Sequence, residues 1–172
     1  MTGIIIGTNR EGSLSEEVAQ FYKNKLTELN QEASLIDLKK LPKDFQFTAL
    51  YGKKNPEFDE FQKKIDQCEK LIFVVPEYNN SYPGIVKSFI EGLRHPDTFT
   101  SKKIALVGVS TGVLGNAIGL SHLNDILSYL NANVLGLRVK LGSLDTHFSD
   151  GQITSETYNL FINRQIQSFL AF

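Results

Sequence analysis

Three segments of the sequence bring together residue types that suit a phosphorylated aromatic ligand. They are residues 7–15, 76–84 and 110–116, and all three are rich in hydroxyls, amides and glycine. Each follows a short apolar run and precedes a stretch with helical spacing. Unpaired N–H groups at the start of a helix favour an anion, and glycine lets the backbone approach a ligand closely. The three segments together predict one site for an anion and a flat ring.

Residues 7–15 are the candidate anion site. Thr8, Ser13 and Ser15 supply hydroxyls, and Arg10 supplies a guanidinium. The segment lacks the second glycine of a G-x-G-x-x-G loop and the lysine of a triphosphate-binding P-loop. The simpler alternative is an ordinary helix cap, in which Ser13 or Ser15 precedes an acidic first turn. Taken alone the segment favours the cap, and only its neighbours shift the balance towards binding.

Residues 76–84 carry groups that suit a flat heteroaromatic ring. Tyr78 and Tyr82 offer aromatic faces, while Asn79, Asn80 and Ser81 offer donors and acceptors directly after a predicted buried strand. The alternative is a turn rich in Asn and Pro whose aromatic side chains pack sideways.

Residues 110–116 suit the stabilisation of negative charge. Gly112 and Gly115 allow close approach of the backbone, and free amides there would stabilise charge that develops on a ring. The alternative is a loop that merely requires positive φ.

Ser110 also suggests a different chemistry, because residues 108–112 match the G-x-S-x-G elbow of serine hydrolases. A hydrolase needs a histidine base and an acid that orients it. After Ser110 the chain offers only His122 and His147, and no H-G-G-G-like segment precedes the serine. Hydrolysis therefore ranks below ligand binding.

The elements that must position these segments are five parallel strands, each followed by a helix. Continuous apolar runs bounded by turn residues predict strands that are buried on both faces. The predicted strands are residues 3–6, 33–38, 71–75, 104–109 and 134–141. Because parallel crossovers are right-handed, we expect a three-layer α/β fold of the flavodoxin-like type, with sheet order 2-1-3-4-5 and helices on both faces.

In such a sheet, ligands bind at the carboxyl ends of the strands where the strand order reverses. The three polar segments meet at that point, between the first and third strands. Residues 41–55 form a long connection that is either a lid or, more simply, a packed surface loop.

The bulk composition excludes several classes of protein. Lys and Arg number 18 against 19 Asp and Glu, and this net charge of −1 argues against nucleic-acid binding. A lone cysteine, Cys68, and three scattered histidines favour neither a disulfide framework nor a metal site. No apolar stretch is long enough to cross a bilayer and no signal peptide is evident. We therefore expect one cytoplasmic domain over residues 1–172.

Residues 76–84, Pro-Glu-Tyr-Asn-Asn-Ser-Tyr-Pro-Gly, resemble the P-E-Y-N-x-S-x-P-G signature of the NADPH-dependent FMN reductase family. Residues 7–15 are similar to that family's G-S-x-R-x-x-S-x-N phosphate loop, with Thr8 in place of the first serine and Ser15 in place of asparagine. The likeness runs along the whole chain. In the fourth turn it departs from the family, since Asn116, Ala117 and Ile118 stand where a second glycine and an arginine are common.

The resemblance implies an oxidoreductase that takes hydride from NADPH or NADH onto FMN and passes electrons to a quinone, azo, metal-ion or flavin acceptor. No side chain need act as acid or base, because hydride passes directly to the flavin. The phosphate would be held by Thr8, Arg10, Ser13, Leu14 and Ser15. The ring would be bordered by Pro76, Glu77, Tyr78, Asn79 and Ser81, with Ser110, Thr111 and Gly112 beside its pyrimidine end.

The resemblance also implies a homodimer or homotetramer with the flavin near a subunit interface. Phe45, Phe47, Tyr51 and Phe99 are candidate interface residues, since a small monomer needs few aromatics at its rim. The rival to the reductase is an FMN-binding carrier that takes electrons from a partner protein. The balanced charge speaks against that carrier, because such carriers are usually strongly acidic.

Overall fold

The computed structural model describes residues 1–172 as a parallel sheet with connecting helices. The strands are β1 (Thr2–Ile6), β2 (Ala33–Asp37), β3 (Lys70–Pro76), β4 (Lys103–Val109), β5 (Asn133–Val134) and β6 (Val139–Leu141), with a separate hairpin of β7 (Phe148–Ser149) and β8 (Gln152–Ile153). The helices are α1 (Leu14–Glu28), α2 (Phe45–Thr48), α3 (Pro56–Asp66), α4 (Gly84–Gly92), α5 (Ala117–Tyr129), α6 (Leu144–His147) and α7 (Glu156–Ala171), and a 3₁₀ turn spans Leu38–Lys40.

The strand order is the predicted one. It runs β2-β1-β3-β4-β5, all neighbours are parallel, and β6 continues alongside β4 beyond β5. The chain runs outward from β1 to β2 and then returns past β1 to β3, on its other side. The strand order therefore reverses between the paired strands β1 and β3. The flavodoxin-like α/β fold is therefore confirmed.

Two apolar layers hold the helices to the sheet. Successive strand residues point to opposite faces, so Ile5 and Phe73 belong to one core while Ile4 and Val74 belong to the other. Helices α3, α4 and α5 cover the first face, and α1 and α7 cover the second. Leu29, which directly follows the last turn of α1, is 48% exposed.

The predicted strand 134–141 is broken in two, and Gln165 of α7 accounts for the break. Its side-chain amide donates to the carbonyls of Leu106 and Leu137, at 3.0 and 2.8 Å, and its oxygen accepts from the hydroxyl of Tyr22. A side chain thus replaces part of the backbone ladder between β4 and the residues between β5 and β6. The buried carbonyls of Leu106 and Leu137 thus both accept a hydrogen bond, as buried polar groups in proteins generally do.

Residues 41–55 form a packed connection that contains α2. Leu41, Phe45 and Leu50 are buried against α3 and α4. The prediction that Phe45 and Phe99 lie at an interface is wrong, because their side chains are only 4% and 2% exposed and belong to the core. Phe47 and Tyr51 are strongly exposed. No helix in residues 1–172 is long and apolar enough to cross a membrane.

Candidate functional site

A cleft of about 180 Å³ lies at the carboxyl ends of β1, β3 and β4, where the strand order reverses. The three polar segments meet there as the sequence predicts. Nine of the thirteen predicted site residues line it. They are Arg10, Ser13, Leu14, Ser15, Pro76, Glu77, Tyr78, Ser110 and Thr111.

The start of α1 forms one wall of the cleft. Ser13 caps the helix by accepting a hydrogen bond from the amide of Glu16, so the cap interpretation is correct for this residue. The next two amides, those of Leu14 and Ser15, have no acceptor in the protein. The hydroxyl of Ser15 is also buried, in a residue that is 1% exposed, and it has no partner. A cap alone leaves this hydroxyl unexplained.

Thr8 lies behind the cleft wall and joins the first turn to the third. Its hydroxyl is 3.0 Å from the hydroxyl of Tyr78 and accepts a hydrogen bond from the amide of Arg10. Thr8 is 1% exposed, whereas the guanidinium of Arg10 extends from an exposed residue. When Tyr78 is the donor, the proton of Thr8 remains available to a ligand.

The third turn is a tight hairpin. Tyr78 and Ser81 exchange two backbone hydrogen bonds, and the two residues between them, Asn79 and Asn80, have φ of 52° and 61°. Two consecutive left-handed residues define a type I′ turn, for which asparagine is well suited. Asn79 and Ser81 therefore shape the turn from outside the cleft, while Tyr78 stays on its wall.

The fourth turn is fixed by the hydroxyl of Ser110. This hydroxyl donates to the carbonyl of Gly112 at 2.6 Å and accepts from the amide of Gly115 at 3.0 Å. Both roles of the hydroxyl serve the loop, and neither His122 nor His147 bonds to it. The geometry is that of a structural serine, which removes the basis for the hydrolase interpretation.

Four amides of the fourth turn, at residues 111–114, are free of acceptors. Those of Thr111 and Gly112 form no hydrogen bond in the protein, and Thr111 lies on the cleft wall. The turn approaches the end of β6 so closely that a Cβ on Gly115, where φ is +56°, would lie 2.6 Å from the amide nitrogen of Leu141. Glycine is required here, and the turn is held rigidly against β6.

Lys39 reduces the negative charge beside the cleft. Its ammonium pairs with Glu16, in the first turn of α1, at 2.9 Å and lies 4.0 Å from Asp37. The hydrogen bond with Glu16 is the main cause that raises the pKa of Lys39, followed by the charge of Asp37. An acidic first turn would otherwise compete with an anion for the helix start.

Three residues of the site were missed by the sequence interpretation. Gly12 and Val109 complete the cleft wall, and Asn116 stands behind it with its side-chain amide bonded to the carbonyls of Val75 and Pro76. No local pattern identifies Asn116 because its partners lie about forty positions earlier in the chain.

A larger cavity, of about 550 Å³, lies between α4 and α5 and away from the cleft. Its lining is mainly apolar and includes Ile90, Phe99 and Tyr129. It contains none of the predicted ligand-binding residues. Convergent polar groups, rather than volume, make the smaller cleft the candidate site.

Comparison with known proteins agrees with the fold and the motifs. The model of the NADPH-dependent FMN reductase family matches residues 2–143. A 2-hydroxy-1,4-benzoquinone reductase of Burkholderia sp. is 28% identical over 74% of this chain and 70% of that protein. An FMN-dependent NADPH-azoreductase of Staphylococcus aureus is 32% identical over 86% of this chain and 77% of that protein. The chain spans 60% and 63% of two further curated relatives.

Among solved structures, the flavoenzyme NAD(P)H:(acceptor) oxidoreductase FerB of Paracoccus denitrificans superposes with a TM-score of 0.81. It is 22% identical, with 99% of this chain and 94% of that chain covered, and this likeness supports the fold. The family match includes all three polar turns and every strand of the parallel sheet. As the motif in the third turn predicts, the chain belongs to the NADPH-dependent FMN reductase family, whose cofactor is FMN and whose electron donor is NAD(P)H.

Proposed function

We propose that this protein binds FMN in the cleft and transfers electrons from NADPH or NADH to a small-molecule acceptor. The observation that carries the proposal is the unpartnered, buried hydroxyl of Ser15 beside two free helix amides. A buried hydroxyl without a partner is costly, and a phosphate oxygen supplies the missing partner. The residues therefore fit the phosphate of the family's cofactor.

The phosphate end is held by the start of α1. The amides of Leu14 and Ser15 and the hydroxyl of Ser15 donate to phosphate oxygens, and Arg10 adds positive charge. Ser13 contributes chiefly by capping the helix and so fixing its first turn. Donors that already point outward from a rigid helix bind an anion with little loss of conformational entropy.

The ring end is bordered by the third and fourth turns. Pro76, Glu77 and Tyr78 form one side, and Ser110 and Thr111 form the other. Gly112 contributes its free amide from just outside the cleft wall, and Asn79 and Ser81 hold the hairpin that presents Tyr78. Free amides next to the ring stabilise the negative charge of a reduced flavin.

When bound, FMN supplies the hydride and electron chemistry. The chain supplies position and electrostatics. The cleft residues orient the cofactor at the open edge of the sheet, and the pairing of Lys39 with Glu16 reduces the repulsion at the anion end. No side chain is assigned as an acid or a base.

The acceptor belongs to the range of quinone, azo, metal-ion and flavin compounds. Relatives with quinone reductase and azoreductase names favour the first two classes. Quinones and azo compounds are flat and conjugated, which suits stacking beside the flavin ring. A steady-state panel of acceptors from the four classes, run with NADH and with NADPH, ranks them by kcat/KM.

The binding part of the proposal is tested by titration of the apoprotein with FMN and with riboflavin. We expect FMN to bind at least about tenfold more tightly, because the phosphate contributes charge-assisted hydrogen bonds that riboflavin lacks. Fluorescence quenching measures both affinities. Equal affinities, or no quenching by either flavin, would contradict the assignment of the cleft.

We also propose the homodimer or homotetramer that the family resemblance implies. The apolar cavity between α4 and α5, with Tyr51 and Tyr129 exposed at its rim, supports an interface on this side. Light scattering at low concentration tests the assembly, and a monomeric mass would contradict it.

The buried, single Cys68, whose pKa is raised by burial, fits a reducing compartment such as the cytoplasm.

A further inference from the structure

The side chain of Asn116 performs a task that its backbone conformation does not require. The residue precedes α5 and has φ of +59°, a conformation that asparagine and glycine tolerate. Asn30 and Asn131 have the same conformation, with φ of 57° and 59°, yet their side chains form no hydrogen bond. Asn116, in contrast, is fully buried and strongly engaged.

Three hydrogen bonds join Asn116 to the end of β3. Its side-chain nitrogen donates to the carbonyls of Val75 and Pro76, at 3.1 and 2.9 Å, and its backbone amide donates to a carboxylate oxygen of Glu77 at 3.2 Å. The side chain forms no cap bond to α5. Its oxygen stays buried without a partner, a cost that an ordinary helix start avoids. The side-chain NH₂ group of Asn116, and not its oxygen, therefore makes the contacts with β3.

Two more residues on the same side of α5 contact the hairpin that follows β3. A Cβ on Gly119 would lie 2.6 Å from the carbonyl carbon of Ser81 and 2.7 Å from the amide nitrogen of Tyr82, so the helix and the hairpin touch directly. One turn further, the Nδ1 of His122 is 2.9 Å from the hydroxyl of Ser81. Residues 116, 119 and 122 are spaced by three and lie on one side of the helix. We call them the positioning face of α5.

We infer that the positioning face of α5, with Asn116 as its principal residue, fixes the place of Pro76, Glu77 and Tyr78 in the cleft. This inference rests on the proposed function, since those three residues border the proposed ring site. Asn116 bonds to Pro76 and Glu77, which line the cleft. Gly119 and His122 contact the hairpin that presents Tyr78, and no residue of the positioning face lines the cleft itself. Asn116 is thus a positioning residue, and its loss acts on FMN only through the third turn.

The test replaces Asn116 with glycine, which keeps the left-handed conformation and removes only the side chain. Asn30→Gly makes the same exchange at a left-handed, exposed position after α1 and serves as the matched control. Amide hydrogen exchange of the apoprotein reports on residues 77–81 without any cofactor. We expect exchange at Glu77, Tyr78 and Ser81 to become at least about fivefold faster in Asn116→Gly and to stay unchanged in Asn30→Gly.

The same two variants are then titrated with FMN. We expect Asn116→Gly to bind FMN about tenfold more weakly, because the turn must be ordered on binding, and to change the visible circular dichroism of the bound flavin. A merely structural Asn116 would lower Tm while leaving affinity and visible dichroism at wild-type values. That result, or wild-type exchange rates in Asn116→Gly, would overturn the inference.

Two further outcomes are distinguishable. If the wild-type chain does not bind FMN, the proposed function fails, and with it the role of Asn116 in ring placement. If Asn116→Gly does not fold, the exposed His122 is replaced by alanine instead. We expect exchange at Ser81 to be at least about threefold faster in His122→Ala, and unchanged exchange there would overturn the role of the positioning face.

Discussion

An ordinary helix cap leaves no buried hydroxyl without a partner, whereas α1 has two serines with different surroundings. Ser13 bonds to the amide of Glu16, and Ser15 is buried and unpaired at the cleft. Only one residue separates the two serines, yet we expect the loss of each hydroxyl to have a different consequence. The hydroxyl of Ser13 stabilises the apoprotein, and the hydroxyl of Ser15 is available to bind an anion.

We therefore predict that Ser15→Ala weakens FMN binding about tenfold without lowering the free energy of unfolding of the apoprotein, because the hydroxyl that is removed is buried and has no partner. Ser13→Ala is the matched control, and it should lower that free energy by about 1 kcal/mol because the cap is lost. Riboflavin affinity should not change in Ser15→Ala. Chemical denaturation and fluorescence titration measure these values, and a stable Ser15→Ala that binds FMN normally would remove Ser15 from the phosphate site.

Ser110 gives a second contrast between motif and structure. Because its hydroxyl holds Gly112 and Gly115, Ser110→Ala should lower the free energy of unfolding by about 1–2 kcal/mol. Ser128→Ala, on the exposed side of α5, should have little effect. Neither variant should alter ester hydrolysis measured with an activated ester. Turnover that depends on Ser110 would restore the hydrolase hypothesis.

Residue types and spacing predicted most of the cleft wall, because Ser15, Tyr78 and Thr111 belong to the segments that follow β1, β3 and β4 at one edge of the sheet. The same reasoning could not find Asn116, whose role depends on contacts with β3. It also assigned Asn79 to the ring, although its φ of 52° and its place in a type I′ turn give it a role in backbone shape. Long-range contacts and backbone conformation are the information that a single sequence lacks.

At the scale of elements, buried strands were predictable because continuous apolar runs have few other interpretations. The exception is the fifth strand, where the run 134–141 is apolar throughout most of its length but is divided into β5 and β6. The cause is Gln165, which lies about 30 positions later and inserts its amide between Leu106 and Leu137. The signs in the sequence are Gly136 within the run and a polar residue on the buried side of α7.

Gln165→Leu should lower the free energy of unfolding by about 3 kcal/mol. The change leaves the carbonyls of Leu106 and Leu137 without their donor and the buried hydroxyl of Tyr22 without its acceptor. Gln167→Leu, at an exposed position on the same helix, should change stability by less than about 0.5 kcal/mol. Denaturant unfolding of both variants measures the difference, and equal stabilities would contradict the bridging role.

At the scale of the whole molecule, the near-zero net charge and the scarcity of reactive side chains suit a protein whose cofactor supplies the chemistry. Two rigid cores support three turns at one edge of the sheet, and the chemistry is concentrated in those turns. This division explains why fold and family were predictable from sequence while the acceptor was not. The class of acceptor depends instead on the shape of the open edge beside the cleft, which is set by side-chain positions that the sequence pattern does not specify.

The central claim is that this chain takes electrons from NAD(P)H through bound FMN. The most direct measurement is anaerobic stopped-flow mixing of the FMN-loaded protein with NADPH and, separately, with NADH, followed by the visible flavin absorbance. We expect the flavin band to bleach with at least one nicotinamide and to recover when a quinone is added. Persistence of the band with both nicotinamides would contradict the claim and favour an electron carrier that is reduced by a partner protein.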